Sequence, residues 1–153
     1  DQANRLHFYV LDLHRDWRGV LSYTVAVRSL DGAGPQRRGV KAYPTLTIAP
    51  KEGWARCVLP VRNTGQAAPA GGHPEDVTGY LGSDVYRVAA STASSGWTTW
   101  LPNSLASARF GQTVPVQVYA KRDPGAPRST VVKVTVTSES DPSKTTTTSC
   151  LVI

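Results

Sequence analysis

The chain has 153 residues, of which 40% are hydrophobic and 18% charged, a composition typical of one globular domain with a core of its own. No apolar run approaches the ~18 residues that a membrane-spanning helix needs, which excludes that kind of anchor from the sequence. The net charge of +6 comes from basic residues scattered along the chain, and only Arg37 and Arg38 form an adjacent basic pair, so a phosphate-binding groove and a nucleic-acid partner are not expected.

The chain opens with two apolar, strand-like runs, residues 6–13 (LHFYVLDL) and 20–30 (VLSYTVAVRSL). Their composition and alternation predict an antiparallel pair connected through residues 14–19. We treat residues 1–153 as a single domain, in which residues 1–40 form either an extra N-terminal hairpin or the tail of a preceding domain. Residues 1–4 lack a charged-then-apolar export pattern, so any export signal is expected to have been removed or to lie upstream.

The middle of the chain continues with short strands separated by turn residues. Residues 40–48 are predicted to form a strand that Pro44 interrupts, since proline cannot donate to a central ladder. Residues 54–62 (WARCVLPVR) alternate, and we expect the face that carries Cys57 and Leu59 to point into the core. Residues 84–91 and 114–120 are further predicted strands.

The closing segment, residues 130–153, reads as two runs of alternating β-branched and polar residues split by a Ser-Asp-Pro-Ser turn signal. It predicts a closing hairpin, with Leu151 to Ile153 ending on the core so that the chain stops where the fold stops. Seven to eight short strands and no 3.6-residue periodicity predict an all-β, antiparallel β-sandwich. The expected core contributors are Leu59, Val61, Val88, Val116, Val118, Val134 and Val136.

Two cysteines, Cys57 and Cys150, stand far apart, each inside a strand-like segment and neither near a second thiol or a histidine at metal-ligand spacing. The simplest interpretation is one disulfide that closes a loop of 93 residues (150 − 57); the alternative is two buried reduced thiols. A disulfide would place the protein outside the cytosol, and we expect a secreted, extracellular location.

A series of turn and strand signals resembles a known family. It consists of the Asn-Thr-Gly turn at 63–65, Gly96-Trp97, a short strand ending at Phe110-Gly111, the VPVQVYA strand, and the Ser-Asp-Pro-Ser-Lys hairpin turn at 140–144. Over roughly residues 45–153 the chain resembles the NEW3-type immunoglobulin-like domains appended to secreted bacterial hydrolases and surface proteins. The resemblance implies an immunoglobulin-like sandwich that serves as a non-catalytic accessory module, with a catalytic domain or subunit of the same secreted protein as its partner. The loop at 66–80 is longer than in that pattern, and the cysteine pair is not part of it.

Catalytic motifs are missing from the sequence. It has three histidines, no G-x-S-x-G elbow, no H-E-x-x-H pair and no Gly-rich phosphate loop. We therefore expect a chain that is not an enzyme, with no catalytic residue and no cofactor.

Two small groups of residues remain as binding candidates. Asp12, His14 and Asp16 would fall on one strand face at two-residue spacing and could hold a divalent ion, although charged residues after an apolar run usually form a solvated turn. Trp97 and Trp100 could stack on sugar faces, although tryptophans more often fill sandwich cores.

These candidates define two alternative functions. The tryptophans would suit a module that binds a polysaccharide or a cell surface. The loop at 66–80 would suit an independent secreted interaction or inhibitor domain. His73 lies in this second segment and reads as an ordinary loop histidine.

Overall fold

The computed structural model describes residues 3, 6–29, 34, 36–51, 53–68 and 82–153. Within these ranges the regular elements are all strands, and no helix is available to cross a membrane. The strands are β1 (Leu6–Arg15), β2 (Leu21–Ser29), β3 (Val40–Ala42), β4 (Thr45–Lys51), β5 (Trp54–Asn63), β6 (Ser83–Thr92), β7 (Trp97–Trp100), β8 (Leu105–Arg109), β9 (Thr113–Arg122), β10 (Thr130–Ser138) and β11 (Thr145–Val152). The prediction of an all-β fold is confirmed.

Nine of these described strands, β3 to β11, build an immunoglobulin-like sandwich. One sheet has the order β4-β5-β9-β7 and the other the order β11-β10-β6-β8, while the short β3 pairs beside β4 on β5. β4 belongs to both sheets, because it pairs antiparallel with β5 and then parallel with β11. When the short β3 and the edge strand β8 are left out, the remaining seven strands in chain order have the arrangement of sheets ABED and CFG found in immunoglobulin-like folds.

The core lies between the two sheets and follows the two-residue period of the strands. Along β5 the side chains alternate between buried and more exposed positions, so that Ala55, Cys57, Leu59 and Val61 point inward as predicted. All seven predicted core residues are buried. The period thus fixes which face of each strand loses contact with water, and burial of each valine or leucine contributes about 1.5 to 3 kcal/mol.

The disulfide between Cys57 on β5 and Cys150 on β11 is present, with the two Cα atoms 6.3 Å apart. It links the two sheets across the core, and both cysteines are buried. The prediction of one disulfide is confirmed, and a secreted protein is the setting in which such a bond persists.

The closing hairpin of β10 and β11 is also confirmed. Its pairing runs in unbroken register from Thr130 opposite Val152 to Thr137 opposite Thr145. The expectation that the last three residues end on the core is wrong for two of them: Val152 is buried, whereas Leu151 and Ile153 are exposed, because consecutive strand residues point to opposite faces.

β1 and β2 form a separate two-stranded sheet at the start of the chain. Its register shifts between Val10 and Asp12, which leaves Leu11 as an extra residue on β1. This bulge keeps the apolar alternation in phase, since Phe8 and Val10 before it and Leu13 after it then lie on one face of the hairpin.

One further detail departs from the predicted strand bounds. The single strand predicted at 40–48 is two strands, β3 and β4, separated at Tyr43 and Pro44. The short strand expected to end at Phe110-Gly111 is present as β8, Leu105–Arg109, which pairs with the edge of β6. The prolonged loop at 66–80 falls largely outside the described residues, as does His73.

Candidate functional site

An aromatic cluster covers the outer face of the sheet that contains β5, β9 and β7. Trp100 lies between Trp54 and Tyr119, with ring centroids 6.2 Å and 5.2 Å away, respectively. The strand pairing creates the cluster, because β9 separates β5 from β7 and sets Tyr119 opposite both Arg56 and Trp100. Lys121 holds its ammonium 5.8 Å from the Trp54 ring centroid, a cation-π contact.

Trp97 and Trp100, the predicted ligand-binding pair, do not lie together. They are three residues apart on β7, so the strand sends them to opposite faces. Trp97 packs against the core, and its Nε1 donates a hydrogen bond to the carbonyl oxygen of Pro127 at 3.1 Å. Trp100 is 51% exposed on the outer face. Only Trp100 is therefore placed to meet a partner, and its neighbours are Trp54 and Tyr119.

The structure does not assemble Asp12, His14 and Asp16 into a metal site. Among the described residues no group of three His, Cys, Asp or Glu side chains could hold a metal ion. Asp12 and His14 are exposed on β1, whereas Asp16 lies in the following turn, where its Oδ1 accepts hydrogen bonds from the amides of Arg18 and Val20 at 2.9 Å each. Asp16 thus stabilises the turn, as the solvated-turn alternative predicts.

The hairpin of β1 and β2 contacts the sandwich through its more polar face. Tyr9, only 3% exposed, donates a hydrogen bond from its hydroxyl to Glu139 Oε2 at 3.0 Å. Glu139 also pairs with Arg87, whose Nε is 2.6 Å from Oε1. The amide of Asn103 donates a further hydrogen bond to the backbone oxygen of Leu11. These contacts join residues far apart in the sequence, and no local pattern predicts them.

The Tyr9 hydroxyl and the Glu139 carboxyl each keep one protonation state at neutral pH. Burial raises the pKa of the Glu139 carboxyl, but hydrogen bonds from Arg87 and Tyr9 outweigh that effect and hold the pKa below its usual value. Burial raises the pKa of the Tyr9 hydroxyl, which therefore remains a donor. The contact is accordingly a hydrogen bond from a neutral phenol to an ionised carboxylate, a charge-assisted bond.

A cavity of about 550 Å³ lies beside this contact, between the hairpin and the sandwich. The buried carboxylate of Asp84 lines it, with Oδ2 accepting a hydrogen bond from Ser138 at 2.5 Å and Oδ1 accepting one from Ser140 at 2.7 Å. Arg38, also buried, donates from Nη1 to the backbone oxygen of Ser83 at 2.8 Å. Asp84 is thus held by the turn after β10, which it fixes against β6.

A signal for the aromatic cluster was present in the sequence. The alternation of residues 54–62 places Trp54 on the outer face of the sheet. The alternation of residues 114–120 likewise places Tyr119 on the outer face, because its neighbours Val118 and Ala120 are buried. What the sequence lacked was the order of the strands. Because β9 lies between β5 and β7, three residues from separate segments become neighbours.

Comparison with known proteins assigns both parts of the chain. Residues 39–153 match the family model described as the peptidase M6-like domain, and residues 1–30 match a model described as a middle domain. A protein of Arthroderma benhamiae named "Putative secreted metallopeptidase" is 45% identical over 160 residues, which cover 99% of this chain and 23% of that protein. This chain therefore spans about a quarter of the length of the relative.

The crystal structure of a FixG-related protein from Vibrio parahaemolyticus also aligns with the chain. The alignment covers 78% of this chain and 95% of the other, with 12% sequence identity and a TM-score of 0.49.

These findings correct several expectations from the sequence. The resemblance to NEW3-type domains of bacterial hydrolases is wrong, since the family model is a different one and the relative is fungal. The expectations of a non-catalytic accessory module and of a chain that is not an enzyme are contradicted by the same matches, which are to a peptidase family and a metallopeptidase. They give the carbohydrate-binding and inhibitor alternatives no support.

The expected extracellular location is confirmed: the protein is secreted, as the relative's name and the interstrand disulfide agree. The match over residues 39–153 accounts for the entire sandwich, from β3 to β11. The chain belongs to the peptidase M6-like domain family.

Proposed function

We propose that the chain takes part in extracellular peptide-bond hydrolysis, as the peptidase M6-like domain of a secreted metallopeptidase. The observation that carries this proposal is the 45% identity that extends over 99% of the chain to a protein of that name. A sandwich whose two sheets are linked by a buried disulfide is consistent with activity outside the cell.

A metallopeptidase needs a metal ion, which is commonly held by three His, Asp or Glu side chains. The described residues of this chain do not fit such a group, since no three of these side chains converge within them. We therefore derive no catalytic step through a metal from these residues. The proposal assigns the ligands to residues outside the described ranges, in this chain or in the rest of a longer polypeptide.

The described residues offer a surface for the polypeptide substrate. Trp54, Trp100 and Tyr119 form a continuous aromatic cluster with Trp100 half exposed, and aromatic rings contribute much of the binding energy of protein contacts. Lys121 and Arg56, on the same outer face, add positive charge beside the rings. We assign to this cluster the binding of apolar or aromatic side chains of an unfolded protein substrate, next to acidic residues.

The first test measures hydrolysis by the full secreted polypeptide that contains this chain. We expect it to cleave unfolded casein, to lose this activity when a chelator removes the metal, and to regain it when a divalent metal is restored. Failure to cleave a panel of unfolded proteins, or cleavage that chelators leave unchanged, would contradict the proposal.

The second test examines the aromatic cluster in the same polypeptide. Trp100→Ala removes the central ring, and we expect the KM for a protein substrate to rise about tenfold, the effect of losing roughly 1.4 kcal/mol of contact energy, while kcat stays unchanged. Val131→Ala is the matched control, because Val131 is an exposed strand residue on the opposite sheet. Equal KM values for the two variants would remove the substrate-binding role from the cluster.

A further inference from the structure

One face of the β1–β2 hairpin is apolar and points to solvent. Three cross-strand pairs build it, with Leu13 opposite Tyr23, Val10 opposite Val25 and Phe8 opposite Val27. Each of these six side chains is between 47% and 57% exposed. They are contiguous, since paired residues are direct neighbours on a sheet face. We call this surface the outer hairpin face.

The outer hairpin face is not the surface that holds the hairpin on the sandwich. That contact uses the opposite face, through Tyr9 and Glu139, and the backbone of Leu11. A hairpin of two strands is marginally stable by itself, and alternating apolar residues normally mark a sheet face that packs on another layer. Within the described residues no other element covers the outer hairpin face. The bulge at Leu11 nevertheless keeps the apolar residues before and after it on that one face.

We propose that the outer hairpin face packs against an apolar surface of the rest of the middle domain, in the same secreted polypeptide. Residues 1–30 match a middle-domain model, separate from the peptidase M6-like model that matches residues 39–153. The Arthroderma benhamiae relative aligns with almost the whole chain, hairpin included, and has about four times its length. Polypeptide beyond this chain is thus available in the relative to cover the face.

In this arrangement the hairpin joins two domains. Its outer face completes the core of the middle domain, while its inner face binds the sandwich through the Tyr9–Glu139 bond. The hairpin therefore fixes the orientation of the middle domain relative to the peptidase M6-like domain. This inference rests on the hairpin's surface and on the length of the relative, so it stands or falls independently of peptidase activity.

Hydroxyl-radical footprinting tests the proposal by comparing residues 1–153 alone with the longer secreted polypeptide. Phe8 and Tyr23 should be modified readily in the isolated chain and should lose most of that reactivity in the longer polypeptide. Trp100, half exposed and outside the hairpin, is the internal control and should react equally in both. Equal reactivity of Phe8 and Tyr23 in the two samples would overturn the proposal.

A pair of charge substitutions provides an independent reading. Val25→Asp places a carboxylate on the outer hairpin face, and Val131→Asp places one at a similarly exposed valine of β10. In residues 1–153 alone both should leave the thermal unfolding of the sandwich nearly unchanged. In the longer polypeptide only Val25→Asp should lower the midpoint of thermal unfolding, because only its carboxylate would be buried in the contact; equal midpoints for the two variants would contradict the proposal.

A second copy of the chain is the competing occupant, and sedimentation of the isolated chain over a range of concentrations detects it. The face is a dimer interface, and the proposal is wrong, if the isolated chain forms a dimer that Val25→Asp abolishes and if Tyr23 stays reactive in the longer polypeptide. A monomeric isolated chain together with a protected Tyr23 in the longer polypeptide supports it.

Discussion

Removing the disulfide between Cys57 and Cys150 should destabilise the sandwich strongly. The bond closes a loop with a sequence separation of 93 residues and links β5 of one sheet to β11 of the other. The double variant Cys57→Ala/Cys150→Ala breaks it while keeping small apolar side chains at two buried positions. Since no other cysteine is present in the chain, the variant cannot form an alternative bond.

The expected loss follows from the entropy that the bond removes from the unfolded chain. For a loop of 93 residues the chain-entropy relation gives about 4.6 kcal/mol at 25 °C. Small-domain stabilities are roughly 5 to 15 kcal/mol, so the disulfide contributes a large fraction of the total. For a chain of this size the midpoint of thermal unfolding should fall by about 10 to 18 °C.

Urea unfolding of three samples separates the causes. The oxidised protein is compared with the same protein under reductant, which keeps both sulfur atoms, and with the double alanine variant, which also leaves a small cavity. We expect the reduced protein to lose most of the 4.6 kcal/mol and the variant to lose somewhat more. A difference of less than about 1 kcal/mol between oxidised and reduced protein would refute the loop-entropy reasoning.

Four further substitutions, one of them a control, test the core and the polar contacts. Leu59→Ala should cost about 2 to 5 kcal/mol in urea unfolding, and the outward-facing Val58→Ala clearly less. Asp84→Ala should cost about 1 to 3 kcal/mol, because it leaves the buried hydroxyl of Ser138 without its acceptor; an unchanged midpoint would contradict this. The pKa of Glu139 is lower in the folded protein than its unfolded value of about 4.5. The ionised carboxylate should therefore contribute to the free energy of unfolding above pH 4.5, and this contribution should be lost as the pH falls through the folded pKa. Glu139→Gln should therefore lower the free energy of unfolding at pH 7 by about 1 kcal/mol or less, and the variant and the wild type should converge as the pH falls below the folded pKa of Glu139.

The faces of the strands could be predicted from the sequence because side-chain direction depends only on a two-residue period. The alternation in β5 correctly placed Leu59 and Cys57 in the core and Trp54 outside. The same rule, applied to the spacing of three between Trp97 and Trp100, would have separated them in advance. Residues 97–100 form strand β7, so the two-residue period holds there as well.

Apart from the two hairpins, β1–β2 and β10–β11, the pairing of the strands could not be predicted, because it joins segments that are distant in the sequence. Tyr9 and Glu139 are 130 residues apart, and their hydrogen bond requires the hairpin to lie on the turn after β10. The aromatic cluster has the same origin, since Trp54, Trp100 and Tyr119 come from three segments whose order in the sheet no local pattern reveals. The candidate surfaces therefore depend on the order of the strands in the sheets, whereas the core residues follow from the alternation within each strand.

The turn residues that suggested the wrong family are nevertheless required by this backbone. Asn63 accepts a hydrogen bond from the amide of Gly65 through Oδ1 and donates one to Ala108 through Nδ2, both at 2.8 Å. A Cβ at Gly65 would lie 2.6 Å from the Phe110 ring, so that only glycine fits there. Gly111 has a φ of 77°, which favours glycine for a different reason. Each of these residues is required by the backbone geometry of the sandwich, and any family with this fold has the same requirements. Such residues therefore predict architecture well and ancestry poorly, and the family became clear only from the family model that matches residues 39–153.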